Sequence, residues 1–293
     1  MGKGTKQIRE AAVPRLPLIL ACTVAAVALF FTLEGFLRAP GEYDSILVGE
    51  GGKFGLRGLK LFGIPAMEAV RIAMVGIFIW ICMRWRPIRG IGGKTALKAM
   101  GLSLVTGVAG FKVLSIAENL LFRDGFTLGG YSLFGAMFIL PLVSPLMARV
   151  LKLDRDQLLD WIAVALCYGI CFQRLGCFMG GCCGGRAWFP GGRSFPFIPP
   201  VQLYEDVWDW LILFFLLFMD VRVPERGLMF PLYMLAYSAF RFPLEYLRDE
   251  PLSILGLTSG QFCSLLCIAL ALCMLALRRE RMKTIFSRRG KKL

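Results

Sequence analysis

The sequence predicts an all-α, polytopic membrane protein with about eight transmembrane helices and both termini on the cytoplasmic side. Apolar residues make up 57% of the 293-residue chain, and they recur in runs close to the ~20 residues that a bilayer core requires. Lysine and arginine are divided unequally between alternate connecting segments, with twenty-two on the side of the N-terminus and nine on the other. By the positive-inside rule the richer side is cytoplasmic. No internal repeat, low-complexity tract or soluble domain interrupts this pattern.

In chain order, residues 1–15 form a basic cytoplasmic tail carrying Lys3, Lys6, Arg9 and Arg15. Spans are expected near 16–37, 63–83, 96–117, 130–150, 158–176, 201–219, 228–247 and 258–277. Residues 16–62 then comprise the first span and an outer loop. The membrane domain proper covers 63–277, with an outward-facing loop over 174–200. Residues 278–293 are a second basic cytoplasmic tail, suited to anionic headgroups. A cleaved signal peptide is disfavoured for the first span, because its apolar run is long and no small-residue site closes it. Ile19-Leu20-Ala21-Cys22 has the look of a lipobox, but the apolar stretch before it is too short and the one after it too long.

The net charge of +14 is explained by basic residues between apolar spans, so no nucleic-acid partner is expected. The chain contains no histidine. That removes the commonest general base near neutral pH and the commonest metal ligand, leaving carboxylate, thiol, tyrosine and lysine for proton transfer.

Seven of the ten cysteines lie in apolar runs, where cysteine behaves as a small hydrophobe. Cys177, Cys182 and Cys183 instead share the stretch Arg174-Leu175-Gly176-Cys177-Phe178-Met179-Gly180-Gly181-Cys182-Cys183-Gly184-Gly185-Arg186. Three thiols, two of them adjacent, do not make a structural zinc site, and no metal or other cofactor is expected. Cys-x-x-Cys is absent, which weighs against a thiol–disulfide enzyme, while a structural disulfide on an oxidising outer face stays open. Gly176, Gly180, Gly181 and Gly185 let the backbone come close to a ligand. Beside Arg174 and Arg186 they read as a cradle for an anionic headgroup.

Ionisable residues inside spans are costly and are site candidates by default. Arg241, Glu245 and Arg248 follow at i, i+4 and i+7, on one expected helix face, with two cations to one carboxylate. The bland alternative is an internal ion pair that fixes helix packing. Gln202, Tyr204 and Glu205, followed by Asp206 and Asp209, open the sixth span. There the acids suit the helix dipole, and Trp208 and Trp210 suit interfacial anchoring. Lys112 lies deep in the third span and Arg71 in the second, and Lys112 is expected to face a polar cavity.

These blocks resemble the prolipoprotein diacylglyceryl transferase family. Arg174-Leu175-Gly176-x-Phe178 with Gly185-Arg186 is similar to the family signature. Pro200-Val201-Gln202-Leu203-Tyr204-Glu205 is similar to its second block. Tyr237-x3-Arg241 through Arg248, with Gly260-Gln261-x2-Ser264, is similar to its third and to the start of its last span. The likeness is strong from about Gly129 and weak before it. The family is usually described with seven spans, so the first span here counts as an N-terminal addition.

The resemblance implies transfer of a diacylglyceryl group from phosphatidylglycerol to the cysteine thiol of a lipoprotein precursor, at the outer face of the bacterial inner membrane. It implies that Arg174 and Arg241 hold phosphate, that Glu245 and Arg248 support them, and that Gln202, Tyr204, Glu205, Tyr237 and Gln261 shape the pocket. Phe134 and Pro199 stand where the family has histidines, and Cys177 where it has asparagine. Two alternatives follow from these departures: thiol or redox chemistry of Cys177, Cys182 and Cys183 on another lipid or envelope substrate, or non-catalytic lipid binding.

Overall fold

The order of the helices sets the architecture. The computed structural model describes residues 16–37, 60–61, 64–65, 72, 76, 91, 93–122, 126, 132–179, 183–186, 198–223, 226–248, 250 and 255–290. Its helices are α1 (Leu16–Leu37), α2 (Gly93–Phe122), α3 (Leu133–Leu151), α4 (Arg155–Met179), α5 (Val201–Arg222), α6 (Met229–Leu244) and α7 (Ser259–Gly290). A 3-10 turn, Glu245–Leu247, continues α6, and the two-residue strands β1 (Lys60–Leu61) and β2 (Ile64–Pro65) pair antiparallel.

Among the described residues, four stretches are long and apolar enough to cross a bilayer: Lys94–Leu121, Leu133–Leu151, Arg155–Phe178 and Ser259–Arg279. Helix α5 has the length, but Glu205, Asp206 and Asp209 lower its hydropathy, and α6 has only 16 residues. The expected span at 63–83 lies almost wholly outside the described residues, as do Arg71, the tail over 1–15 and the outer loop over 38–59.

The helices pack as neighbours in sequence, α2 on α3, α4 on α5 and α6 on α7, while α1 lies along α5. Ala21, Val24 and Ala28 form the buried stripe of α1, a small-residue face that permits close approach. The α2–α3 crossing is tighter still. A Cβ on Gly110 would fall 2.6 Å from the carbonyl oxygen of Gly135, and one on Gly135 would fall 2.9 Å from the amide of Phe111. Only glycine at both positions lets the two backbones meet there. Ser132, at the start of α3, donates its amide to the Phe111 carbonyl at 3.3 Å beside the crossing.

Proline inside α3 is accommodated by a side chain from α4. Pro145 has no N–H to offer the carbonyl of Pro141. That oxygen instead accepts Ser144 Oγ at 2.8 Å and Arg155 Nη2 at 3.3 Å. Buried Asp160 on α4 accepts the amides of Gly227 at 2.6 Å and Met229 at 2.9 Å, closing the entry to α6. At the start of α7, Thr258 and Gln261 form a capping box, each accepting the other's backbone N–H on a side-chain oxygen at 3.2 Å.

Between α4, α5 and α6 the core is aromatic. Trp210 is 1% exposed and meets Tyr168 and Phe172 edge to face, so it is a core residue rather than the expected interfacial anchor. Asp206 and Asp209 are likewise buried among helices. Outward-facing apolar side chains, such as Leu104, Val105 and Val113 on α2 and Leu142, Leu146 and Val150 on α3, form the surface a bilayer would cover.

Candidate active site

One carboxylate, Glu205, gathers residues that are far apart in the sequence. It sits on the second turn of α5 and is 1% exposed. Its Oε1 accepts Arg174 Nη2 from the end of α4 at 2.6 Å and the Tyr237 hydroxyl from α6 at 3.1 Å, and it lies 3.4 Å from Arg241 Nε. Arg248 Nη1 approaches Glu205 Oε2 at 3.8 Å. Arg174 also donates to the Tyr237 hydroxyl at 3.2 Å. Helix α5 therefore supplies the anion around which the three arginines are fixed.

A second carboxylate closes the group. Glu245, 2% exposed, pairs with Arg241 one turn before it and lies 3.7 Å from Arg248 Nε. The expected single helix face over Arg241, Glu245 and Arg248 is modified: α6 ends at Leu244, and the 3-10 turn delivers Arg248 in extended backbone. The carboxylate of Glu245 rests against the first turn of α7, where a Cβ on Gly260 would lie 2.7–2.9 Å from it. The expected ratio of two cations to one acid becomes three to three, because Arg174 joins the cations and Glu205 and Glu250 join the acids. Nε of Arg174 and Nε of Arg248 are buried with no hydrogen-bond acceptor among the described residues.

Two cavities meet beside this group. A polar one of about 470 Å³ is lined by the arginines, Tyr237 and Glu245 on one side and by Ser115, Glu118, Asn119, Ser132 and Phe134 on another. An apolar one of about 570 Å³ lies between α2 and α4 and includes Leu104, Val108, Trp161, Leu166 and Gly176. Phe111, Gln173 and Cys177 line both. Phe134, at the position of a family histidine, packs edge to face on Tyr237 with ring centres 5.8 Å apart.

The remaining sequence-predicted residues divide into three groups. Cys183 lines the polar cavity, and its carbonyl accepts Arg248 Nη1 at 3.3 Å. Gly185 is buried and bridges to Arg248 through the backbone, while the Arg186 amide donates to Leu247 at 2.8 Å and its side chain is exposed. The cysteine-glycine loop is thereby tied to the turn that carries Arg248. A second group sits away from both cavities. The Tyr204 hydroxyl bonds Thr32 of α1 at 2.7 Å, Gln261 caps α7, Gln202 is buried, and Lys112 is partly buried on α2 without lining either cavity. Gly180, Gly181 and Cys182 lie outside the described residues.

Glu118 and Gly260 are among the site residues that sequence reasoning does not single out. Glu118 carries a signal that could have found it: Ser115, Glu118 and Asn119, at i, i+3 and i+4, place a polar patch on one face of an apolar span. Gly260 carried none beyond its place in the resembling block.

Comparison with known proteins supplies the family. A family model described as prolipoprotein diacylglyceryl transferase matches residues 64–277, more than half of the chain. A phosphatidylglycerol–prolipoprotein diacylglyceryl transferase of Clostridium tetani is 30% identical over 243 residues, covering 75% of this chain and 94% of the relative. A second protein so named, from Clostridium perfringens, is 30% identical over 231 residues, covering 71% and 87%. The chain therefore belongs to the prolipoprotein diacylglyceryl transferase family of enzymes.

Proposed function

We propose that this protein transfers the diacylglyceryl group of phosphatidylglycerol to the cysteine thiol of a lipoprotein precursor, in a bacterial inner membrane and at its outer face. The observation that carries the reading is the pairing of the two cavities: three convergent guanidinium groups on a polar one, opening at Phe111, Gln173 and Cys177 into an apolar one. Such a pair suits an anionic phospholipid, with its phosphate on the arginines and its acyl chains between α2 and α4. The names of the relatives give the same donor and acceptor.

In the reaction, the acceptor sulfur bonds to the terminal glyceryl carbon. The bond from that carbon to the phosphate oxygen breaks, and glycerol phosphate leaves with the electron pair. Arg174 and Arg241 hold the phosphate as charge develops on it. Glu205 and Glu245 keep the guanidinium groups in place, and Arg248 couples this wall to the cysteine-glycine loop. Eight spans with both termini cytoplasmic would put the arginine cluster, at the C-terminal end of α4, toward the outer leaflet.

The test uses purified protein in vesicles of phosphatidylglycerol labelled in its acyl chains, with a lipobox peptide as acceptor. Label should appear on the peptide and be lost when its cysteine is replaced by serine. An unlabelled peptide, under conditions where the C. tetani relative labels it, would overturn the reading. Cys177 lies where both substrates would pass, so the thiol alternative is separated in the same assay by Cys177→Ser.

A further inference from the structure

We propose that Glu118 is the general base that takes the proton of the acceptor thiol. The inference rests on the transferase reading above. A thiol must lose its proton to become a strong nucleophile, and the chain has no histidine to receive it. The receiving group has to face the cavity that holds the reacting carbon.

Among the described residues, the glutamates at the arginine cluster are held by guanidinium groups. Glu205 lines neither cavity, and its Oε1 is taken by Arg174 and Tyr237. Glu245 is pressed between Arg241, Arg248 and the first turn of α7. Glu250 also lines the polar cavity, but its carboxylate lies against the Arg248 guanidinium at 3.8 Å. The Tyr237 hydroxyl donates its proton to Glu205.

Glu118 differs in both place and support. It lines the polar cavity from α2, a different wall from the arginines on α4, on α6 and after the 3-10 turn. A base there approaches the sulfur without standing between it and the leaving phosphate. Its carboxylate is oriented from two elements: Ser132 Oγ donates to Oε1 at 2.8 Å from the start of α3, and Cys263 Sγ donates to the same oxygen at 3.4 Å from α7. Ser132 is itself placed by the glycine crossing of α2 and α3. Geometry of this kind, a base held by a neighbouring donor within reach of a bound substrate, is what proton transfer requires.

The step balances within the site. Glu118 receives the S–H proton as the sulfur–carbon bond forms and the carbon–oxygen bond to phosphate breaks, and the proton passes to water when the products leave.

The experiment compares Glu118→Gln and Glu118→Asp with wild type in the labelled-vesicle assay, using two acceptor peptides. One carries cysteine, and the other selenocysteine, whose selenol is already ionised at neutral pH. Glu118→Gln should lower the turnover rate with the cysteine peptide by about 10²-fold or more, with phosphatidylglycerol binding unchanged. With the selenocysteine peptide it should come within a few-fold of wild type, and Glu118→Asp should fall between. A misfolded or misplaced site would depress both peptides alike. Equal loss with both peptides, or no loss with either, overturns the role of Glu118. Failure of wild type itself to label any peptide instead overturns the transferase reading.

Discussion

Replacing Gly260 with alanine adds one methyl group against the carboxylate that holds Arg241. The new Cβ would lie 2.7 Å from Glu245 Oε1, 2.8 Å from Cδ and 2.9 Å from Oε2. Ordinary carbon contacts begin near about 3.5 Å, so the carboxylate must retreat by about 0.7 Å. It has little room, because it is 2% exposed and is engaged by Arg241 and Arg248. Overpacking of this kind costs about 1–3 kcal/mol. Displacing a substrate-positioning guanidinium by a comparable distance carries a rate loss on the order of 10²-fold. Gly101 on α2 provides the control, since a Cβ there meets nothing within 4 Å. Gly101→Ala should keep wild-type activity and gain up to about 1 kcal/mol from helix propensity alone. The assay is thermal unfolding in detergent beside the initial rate of peptide labelling. If Gly260→Ala matched wild type in both, Glu245 would not be confined as described, and the reasoning from the α6–α7 junction would fail.

Other substitutions separate the site from its supports. Arg174→Ala should cost about 1.5–3 kcal/mol of stability, because Glu205 loses one charge-assisted hydrogen bond while keeping Arg241, Arg248 and Tyr237. Arg174→Lys should restore much of that stability but little activity, because a point charge cannot bridge Glu205, Tyr237 and a phosphate as a planar fork does. Both are read by unfolding midpoint against labelling rate. A bulky maleimide should inhibit wild type by reacting at Cys177, where the two cavities meet, and Cys177→Ser should remain active and resist that part of the inhibition. Tyr204→Phe should lower stability by about 0.5–1.5 kcal/mol through loss of the Thr32 hydrogen bond, while leaving the KM for phosphatidylglycerol unchanged.

The helical regions were legible because apolar runs of bilayer length have few other uses. The runs expected at 130–150 and 201–219 fall on Leu133–Leu151 and Val201–Arg222. Arg241, Glu245 and Arg248 were visible as a group because their spacing is local. The 3-10 turn within them was not, since helix-forming residues continue past Pro243. The Arg174–Glu205 pair spans 31 residues, and no local rule connects the end of one helix to the second turn of the next. Tyr204 and Gln261 show the reverse case. Each lies in a block that resembles the family, yet one fastens α1 and the other caps α7. Glu118 lies just beyond the span expected over 96–117, and its place in the site depends on a donor fourteen residues on, Ser132, that no local spacing reveals.

Complementation tests the central claim most directly. The chain is expressed in a bacterium depleted of its own diacylglyceryl transferase, and lipoproteins are examined for a glyceryl thioether on the lipobox cysteine. The prediction is restored growth with modified lipoproteins from the wild-type chain, and neither from Arg241→Ala at equal membrane abundance. Unmodified lipoproteins in cells that hold the wild-type protein in the membrane, while the C. tetani relative rescues the same strain, would contradict it.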